Sequence, residues 1–79
     1  MNYKEAKLAT EHFDKSHGSP FDRGSADSWY SRQEDPHWYP EGTGHGKRIE
    51  SKDMSMAELR AYFAGYEYNE KFGGKKSWD

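Results

Sequence analysis

The chain has no cysteine, no valine, two leucines and one isoleucine among 79 residues. Without cysteine there is no disulfide to staple a small fold and no thiolate for metal or nucleophilic chemistry. The scarcity of branched aliphatics excludes a conventional aliphatic core. No apolar run approaches the ~20 residues of a membrane span. The opening Met1-Asn2-Tyr3-Lys4-Glu5-Ala6 lacks the apolar stretch of a signal peptide, so a cytoplasmic protein is expected. Charge of one sign is also missing. The formal net charge of −2 gives no global pull toward nucleic acid or an anionic membrane.

What the chain does have is rings. Three Trp, six Tyr and four Phe make 16% of the sequence aromatic. Each ring can bury about 150–250 Å², so a core built from aromatics is the expected solution for one small domain spanning residues 1–79.

The pattern predicts a mainly α protein. A loosely attached N-terminal helix is expected from Tyr3 to Lys15, within residues 1–18, on the spacing of Tyr3, Ala6, Ala9 and Phe13. A second helix opens at Ser19-Pro20-Phe21-Asp22, with Ser19 as N-cap, Pro20 at the first helical position and Asp22 in the first turn. It is expected to reach Arg32 or Gln33 and to bury Phe21, Ser25 and Trp29, flanked by Gly24, Ala26 and Tyr30. Pro36 then excludes helical geometry at Asp35. The third helix starts at the capping box Ser55-Met56-Ala57-Glu58 and carries Leu59, Tyr62, Phe63 and Tyr66 at helical spacing until Gly73-Gly74.

Between them lies a long aromatic and glycine-rich connector, residues 34–52. It contains Asp35-Pro36-His37-Trp38-Tyr39-Pro40 and then glycines at 42, 44 and 46. Pro36 and Pro40 stiffen it. If this piece is extended, Trp38 and Tyr39 point in opposite directions, one closing the core and one facing a partner. A short extended piece at Lys47 to Glu50 would turn Ile49 inward.

The two glycine helices echo each other. Phe21 stands three residues before Gly24, and Tyr62 three before Gly65. Glycine inside a helix costs about 1 kcal/mol relative to alanine. Its repetition at matching positions predicts that the helices pack as a hairpin, with Gly24 and Gly65 allowing close approach.

Motifs for chemistry are sparse. His37 and His45 could converge with Asp35 or Glu41, which would suit a minor metal-dependent hydrolase, yet zinc sites need three or four ligands and usually employ cysteine. His12, His17, His37 and His45 are expected to be partly exposed, with no metal and no cofactor. Gly42-Thr43-Gly44-His45-Gly46-Lys47 lacks the spacing of a nucleotide-binding loop. The carboxylates Asp22, Asp27, Glu34, Asp35 and Asp53 are read as surface charge and caps rather than as an acid–base pair. Catalytic residues are therefore not expected. Binding is the simpler reading, because Trp, Tyr and Arg dominate interface hot spots. The candidate partner-binding residues are Trp29, Trp38, Tyr39, Lys47, Arg48 and Trp78; Gly24, Gly65, Pro36 and Pro40 are structural.

The order Arg23-Gly24-Ser25-Ala26, then Arg32 to Pro36-His37-Trp38-Tyr39, then Ala61-Tyr62-Phe63-Ala64-Gly65-Tyr66 resembles the ribosome modulation factor family over roughly residues 21–73. That resemblance implies two short glycine-bearing helices joined by a Pro–aromatic connector, and a non-enzymatic protein that docks on the ribosome and silences it under stress. The family is strongly basic, as rRNA binding requires, whereas this chain is net acidic. The elements R-G-x-A-D and A-G-Y-x-x-N also resemble those of small accessory proteins of tailed bacteriophages, which would act on a host machine in the host cytoplasm. The expected function is non-catalytic modulation of a larger protein or ribonucleoprotein partner. A hibernation-type RNA-binding regulator is the alternative, with direct nucleic-acid binding disfavoured by the net charge and no membrane involved.

Overall fold

The protein is mainly α. A computed structural model describes residues 13–43 and 45–77. In chain order they form α1 (Pro20–Trp29), β1 (His37–Trp38), β2 (Ile49–Glu50), a 3₁₀ turn (Ser51–Asp53) and α2 (Met56–Phe72). Most of the helix expected over Tyr3 to Lys15 lies outside the described residues, and its last three residues, 13–15, are not helical.

Helix α1 starts as its sequence dictates. The Ser19 hydroxyl accepts the Asp22 N–H, and Pro20 occupies the first turn. Asp22 also accepts the Gly18 N–H at 2.9 Å, which fixes the approach to the helix. The helix stops at Trp29, short of the expected Arg32 or Gln33. Ser31 adopts a left-handed φ of 59°. The Arg32 N–H then reaches the Asp27 carbonyl at 2.8 Å and the Ser31 N–H reaches that of Ser28 at 3.0 Å. These two bonds form a Schellman C-cap with serine where glycine is usual. A left-handed L-residue costs roughly 1–2 kcal/mol. Ser31→Gly is therefore expected to stabilise the protein by about 0.5–1 kcal/mol, after glycine's larger unfolded-state entropy is deducted. Thermal melts should show a Tm several degrees higher; a lower Tm would refute this account of the cap.

Helix α2 carries the complete capping box. The Ser55 hydroxyl accepts the Glu58 N–H at 3.1 Å, and the Glu58 carboxylate accepts the Ser55 N–H at 2.7 Å. It ends at Phe72, with Gly73 at the C-cap.

The helices cross where their side chains vanish. Gly24 faces the Tyr62 carbonyl of α2, and Gly65 faces the Phe21 carbonyl of α1. Four residues beyond each glycine, Ser28 and Asn69 meet, with Asn69 Nδ2 donating to Ser28 Oγ at 2.9 Å. Both helices thus leave the crossing on the same side. In an antiparallel hairpin, the residues beyond one glycine would instead lie opposite those before the other. The long segment between Trp29 and Met56 gives the chain room to return for a crossing in the same sense.

The buried stripes differ from those expected. On α1 they are Pro20, Phe21, Gly24, Asp27 and Ser28, whereas Trp29 is 41% exposed. On α2 they are Ala61, Tyr62, Gly65 and Asn69, whereas Phe63 is 42% exposed. Polar residues sit inside because each finds a partner across the crossing, which removes the penalty of burial. Rings complete the interior. Phe13 stacks on Phe21 at 5.8 Å between centroids, and Phe21 meets Tyr68 at 6.1 Å.

Within the connector, β1 and β2 pair antiparallel, with His37 opposite Glu50 and Trp38 opposite Ile49. Pro40 sits in a turn closed by the Gly42 N–H on the Tyr39 carbonyl at 3.0 Å. Bonds fasten this segment and the turn leading into it to α2 and to the turn before α1. The Tyr39 N–H donates to the Gly18 carbonyl, the Asp35 N–H to the Tyr62 hydroxyl, and the Tyr66 hydroxyl to the Arg32 carbonyl.

Candidate docking surface

These anchors hold open a cleft of about 930 Å³ between α1, the 32–39 segment and Arg48. Its floor is a buried polar cluster. Asp27 projects from the inner face of α1 and is 3% exposed. The Tyr62 hydroxyl, on a side chain with no exposed surface, donates to Asp27 Oδ2 at 2.5 Å and accepts the Asp35 N–H at 2.9 Å. Burial, reinforced by the adjacent Asp27 carboxylate, pushes the Tyr62 hydroxyl well above the usual tyrosine pKa. It remains a neutral donor.

His37 forms the adjoining wall. It is 5% exposed, and its Nδ1 lies 2.6 Å from the Asp35 carbonyl and 3.8 Å from Asp27 Oδ2. This corrects the expectation of four partly exposed histidines: the β1 register turns His37 inward, where the Tyr62 and Tyr39 rings pack against it. His45 is exposed. Among the described residues, no group of three or more His, Asp or Glu could hold a metal ion.

The cleft walls carry arginines, each held by carboxylates of the same chain. Arg23 pairs with Asp22 at 3.1 Å and Arg32 with Asp27 at 3.5 Å. Arg48 lies 2.7 Å from both Asp35 and Glu50, although its Nε is not aligned for a hydrogen bond to Glu50. Burial opposes the Arg48 charge, but Asp35 and Glu50 outweigh it and hold its pKa above the ordinary arginine value. Tyr39 and Tyr30 add two rings to the lining, and the Arg32 guanidinium lies over the Tyr30 ring at 4.8 Å.

The residues singled out for binding do not share one surface. Tyr39 and Arg48 meet in this cleft. Trp38 lines a different, apolar groove with Phe13, Pro20 and Ala61. Trp29 ends α1, where its carbonyl accepts the Lys76 N–H and its ring lies beside Gly74. Lys47 is exposed and Trp78 lies outside the described residues. Pro36 leads into β1 and Pro40 forms the turn after it. Arg23 and Arg32, named from the sequence only within the family resemblance, and the buried role of Asp27 were not foreseen as parts of a binding surface. One signal was available: Asp27 and Asn69 stand three and four residues after the two helix glycines, on the face that each glycine marks as close-packed.

No protein-family model, curated protein or solved structure matches this chain. Among the described residues, no helix is long and apolar enough to cross a membrane.

Proposed function

We propose that this chain is a non-catalytic binding protein that docks on a larger macromolecule and modulates it, with the Arg/Tyr cleft as its docking surface. The observation that carries this reading is the fixed state of the cleft. Arg48 is held at 2.7 Å by both Asp35 and Glu50, and Arg32 pairs more loosely with Asp27 at 3.5 Å beneath the Tyr30 ring contact. Tyr39 is anchored through its own backbone to Gly18. Recognition side chains that are already ordered lose less entropy on binding, and Arg and Tyr are the types that dominate hot spots. The internal pairing also weighs against the RNA-binding alternative, since phosphate contacts call for guanidiniums that are not already neutralised.

The test is affinity capture from bacterial lysate, with bound proteins identified by mass spectrometry. The wild-type chain is expected to retain a discrete partner through nuclease treatment. Arg32→Ala and Tyr39→Ala, checked by circular dichroism for intact helices, should each reduce recovery about tenfold, as truncation of a hot spot does. Trp38→Ala should leave it unchanged. Loss of the partner on nuclease treatment, or equal recovery with all three variants, would overturn the assignment of the cleft.

A further inference from the structure

Histidine is the side chain that ordinarily changes charge between about pH 5 and pH 8, and the cleft wall holds one out of water. Only 7% of the His37 side chain is exposed. Its Nδ1 lies 2.6 Å from the Asp35 carbonyl, which can only accept, so Nδ1 carries the hydrogen. A further proton therefore goes to Nε2. The imidazole gains a charge without giving up the bond that orients it.

Each element packed on His37 brings a group to it. From α1, Asp27 Oδ2 stands 3.8 Å from Nδ1. From α2, the Tyr62 ring lies against the imidazole, and its hydroxyl donates to the same Asp27 oxygen. From β2, Glu50 is opposite His37 in register, but its carboxylate is held by Arg48, which holds that of Asp35 as well. Tyr39 meets the imidazole edge to face. Asp27 is the carboxylate among these that a charged His37 can claim.

Asp27 already has a cation, held weakly. Arg32 reaches its other oxygen, Oδ1, at 3.5 Å, beyond the ordinary range of a hydrogen bond, and 59% of the Arg32 side chain is exposed. Exposed pairs are screened by water and salt, buried ones much less. The two cations would stand at similar distances from one carboxylate, so the buried one prevails. Arg32 stays oriented when Asp27 loosens, because its guanidinium lies over the Tyr30 ring. The lining of the cleft is otherwise balanced, three arginines against Asp27, Glu34 and Asp35, so a single proton decides its sign.

We infer that His37 gates the cleft by charge exchange: its protonation supplies the counter-charge of Asp27 from inside and turns Arg32 toward a carboxylate of the docking partner. The inference rests on the docking role proposed above and adds its regulation, with docking strengthened as pH falls through the histidine range. Guanidinium and carboxylate match as a two-point pair. A phosphate chain would instead set further charges beside Glu34 and Asp35.

The wild-type chain alone tests the exchange. An NMR titration from about pH 7.5 to about pH 5.5 follows the His37 ring and the Arg32 Nε–H together. Both are expected to shift with one midpoint, while Arg60, in the separate groove beside Trp38, does not follow. His37→Gln should remove the Arg32 shift; His17→Gln, at the other histidine of the lining, should leave it. Fluorescence anisotropy then reads the gate with a short labelled Glu/Leu peptide, whose carboxylates stay ionised over this range. Binding is expected to be about tenfold tighter at the acid end. In His37→Gln and Arg32→Ala, each checked by circular dichroism, it should be equally weak at both ends. An Arg32 signal that stays still while His37 titrates, a His37 ring that keeps one protonation state until the helices unfold, or an acid gain that survives His37→Gln would each overturn the inference. So would a short uridine oligonucleotide that binds more tightly than the peptide at the acid end. A discrete partner still captured from lysate in any of these cases leaves the docking role standing. Joint His37 and Arg32 shifts with no captured partner support the exchange and remove that role.

Discussion

Alanine at Gly24 or Gly65 is expected to unfold this protein or come close to it, although alanine is the better helix former by about 1 kcal/mol. A Cβ on Gly24 would fall deep inside the Tyr62 carbonyl oxygen and within 2.9 Å of the Tyr62 carbonyl carbon and the Tyr66 nitrogen. At Gly65 it would overlap the Phe21 carbonyl oxygen and lie 2.9 Å from the Phe21 carbonyl carbon. All of these are main-chain atoms, so no side chain can swing aside. Ordinary carbon contacts begin near ~3.5 Å, and the axes must part by more than an ångström. That separation breaks what lies past the crossing: the Asn69–Ser28 bond and the Lys75 contacts to Ser28. Overpacking of this kind costs typically about 1–3 kcal/mol and occasionally more. Because the overlap is with backbone, each variant should sit at or above the top of that range. For a domain of this size, ~3 kcal/mol lowers Tm by roughly 12–24 °C. The double variant is expected to cost clearly less than the two singles combined, since the first alanine already opens the shared crossing. A thermal melt in which either single alanine is neutral or stabilising would refute close packing at that glycine.

The elements themselves were largely legible. Ser19-Pro20 and the Ser55–Glu58 box give both helix starts, because capping is local chemistry between residues three apart. The end of α1 was not legible. A serine at φ 59° completes the cap there, and sequence rules look for glycine in that place. The burial pattern failed for a different reason. Periodicity counts apolar residues, so it assigned Trp29 and Phe63 to the inward stripes, left Asp27 among the surface charges and gave Ser28 and Asn69 no place in the core. The structure reverses these assignments because the polar three satisfy one another, or Tyr62, across the helix crossing. Those partners lie 35 and 41 positions apart in the chain, too far for any local pattern to register. His37 was unreadable for the same reason. Its burial follows from β1 pairing with β2, a contact the composition of the loop does not announce. Tyr39 and Arg48 were singled out as separate binding residues. Their meeting in one cleft depends on Asp35 reaching Arg48 across the connector.

Tyr62→Phe removes one oxygen and is expected to be the most damaging conservative change in the protein. The ring would still fit, so the effect isolates the hydroxyl. Two groups lose their partner. The Asp27 carboxylate, 3% exposed, loses its 2.5 Å donor and retains Arg32 at 3.5 Å. The Asp35 N–H loses its acceptor, which loosens the connector at the point where it turns toward β1. Removing a hydrogen bond to a charged group and leaving a buried polar atom unsatisfied costs about 3 kcal/mol. A cycle with Asp27→Asn should show strong coupling, because the two residues share the bond. Alkaline pH supplies a second, independent readout. An unfolded chain releases the Tyr62 proton near pH 10, whereas the folded chain holds it to higher pH because burial and Asp27 oppose the phenolate. Between those two values the folded state binds more protons than the unfolded one, so stability falls as pH rises. This contribution is fully present below about pH 10 and is lost on passing upward through the folded value. Absorbance of ionised tyrosine should therefore show one of the six tyrosines titrating only as the protein unfolds. Tyr62→Phe should remove that late component and, with it, part of the alkaline loss of stability. If all the tyrosines of the wild-type protein titrate while the helices remain intact, the buried Tyr62–Asp27 bond does not govern the cleft floor.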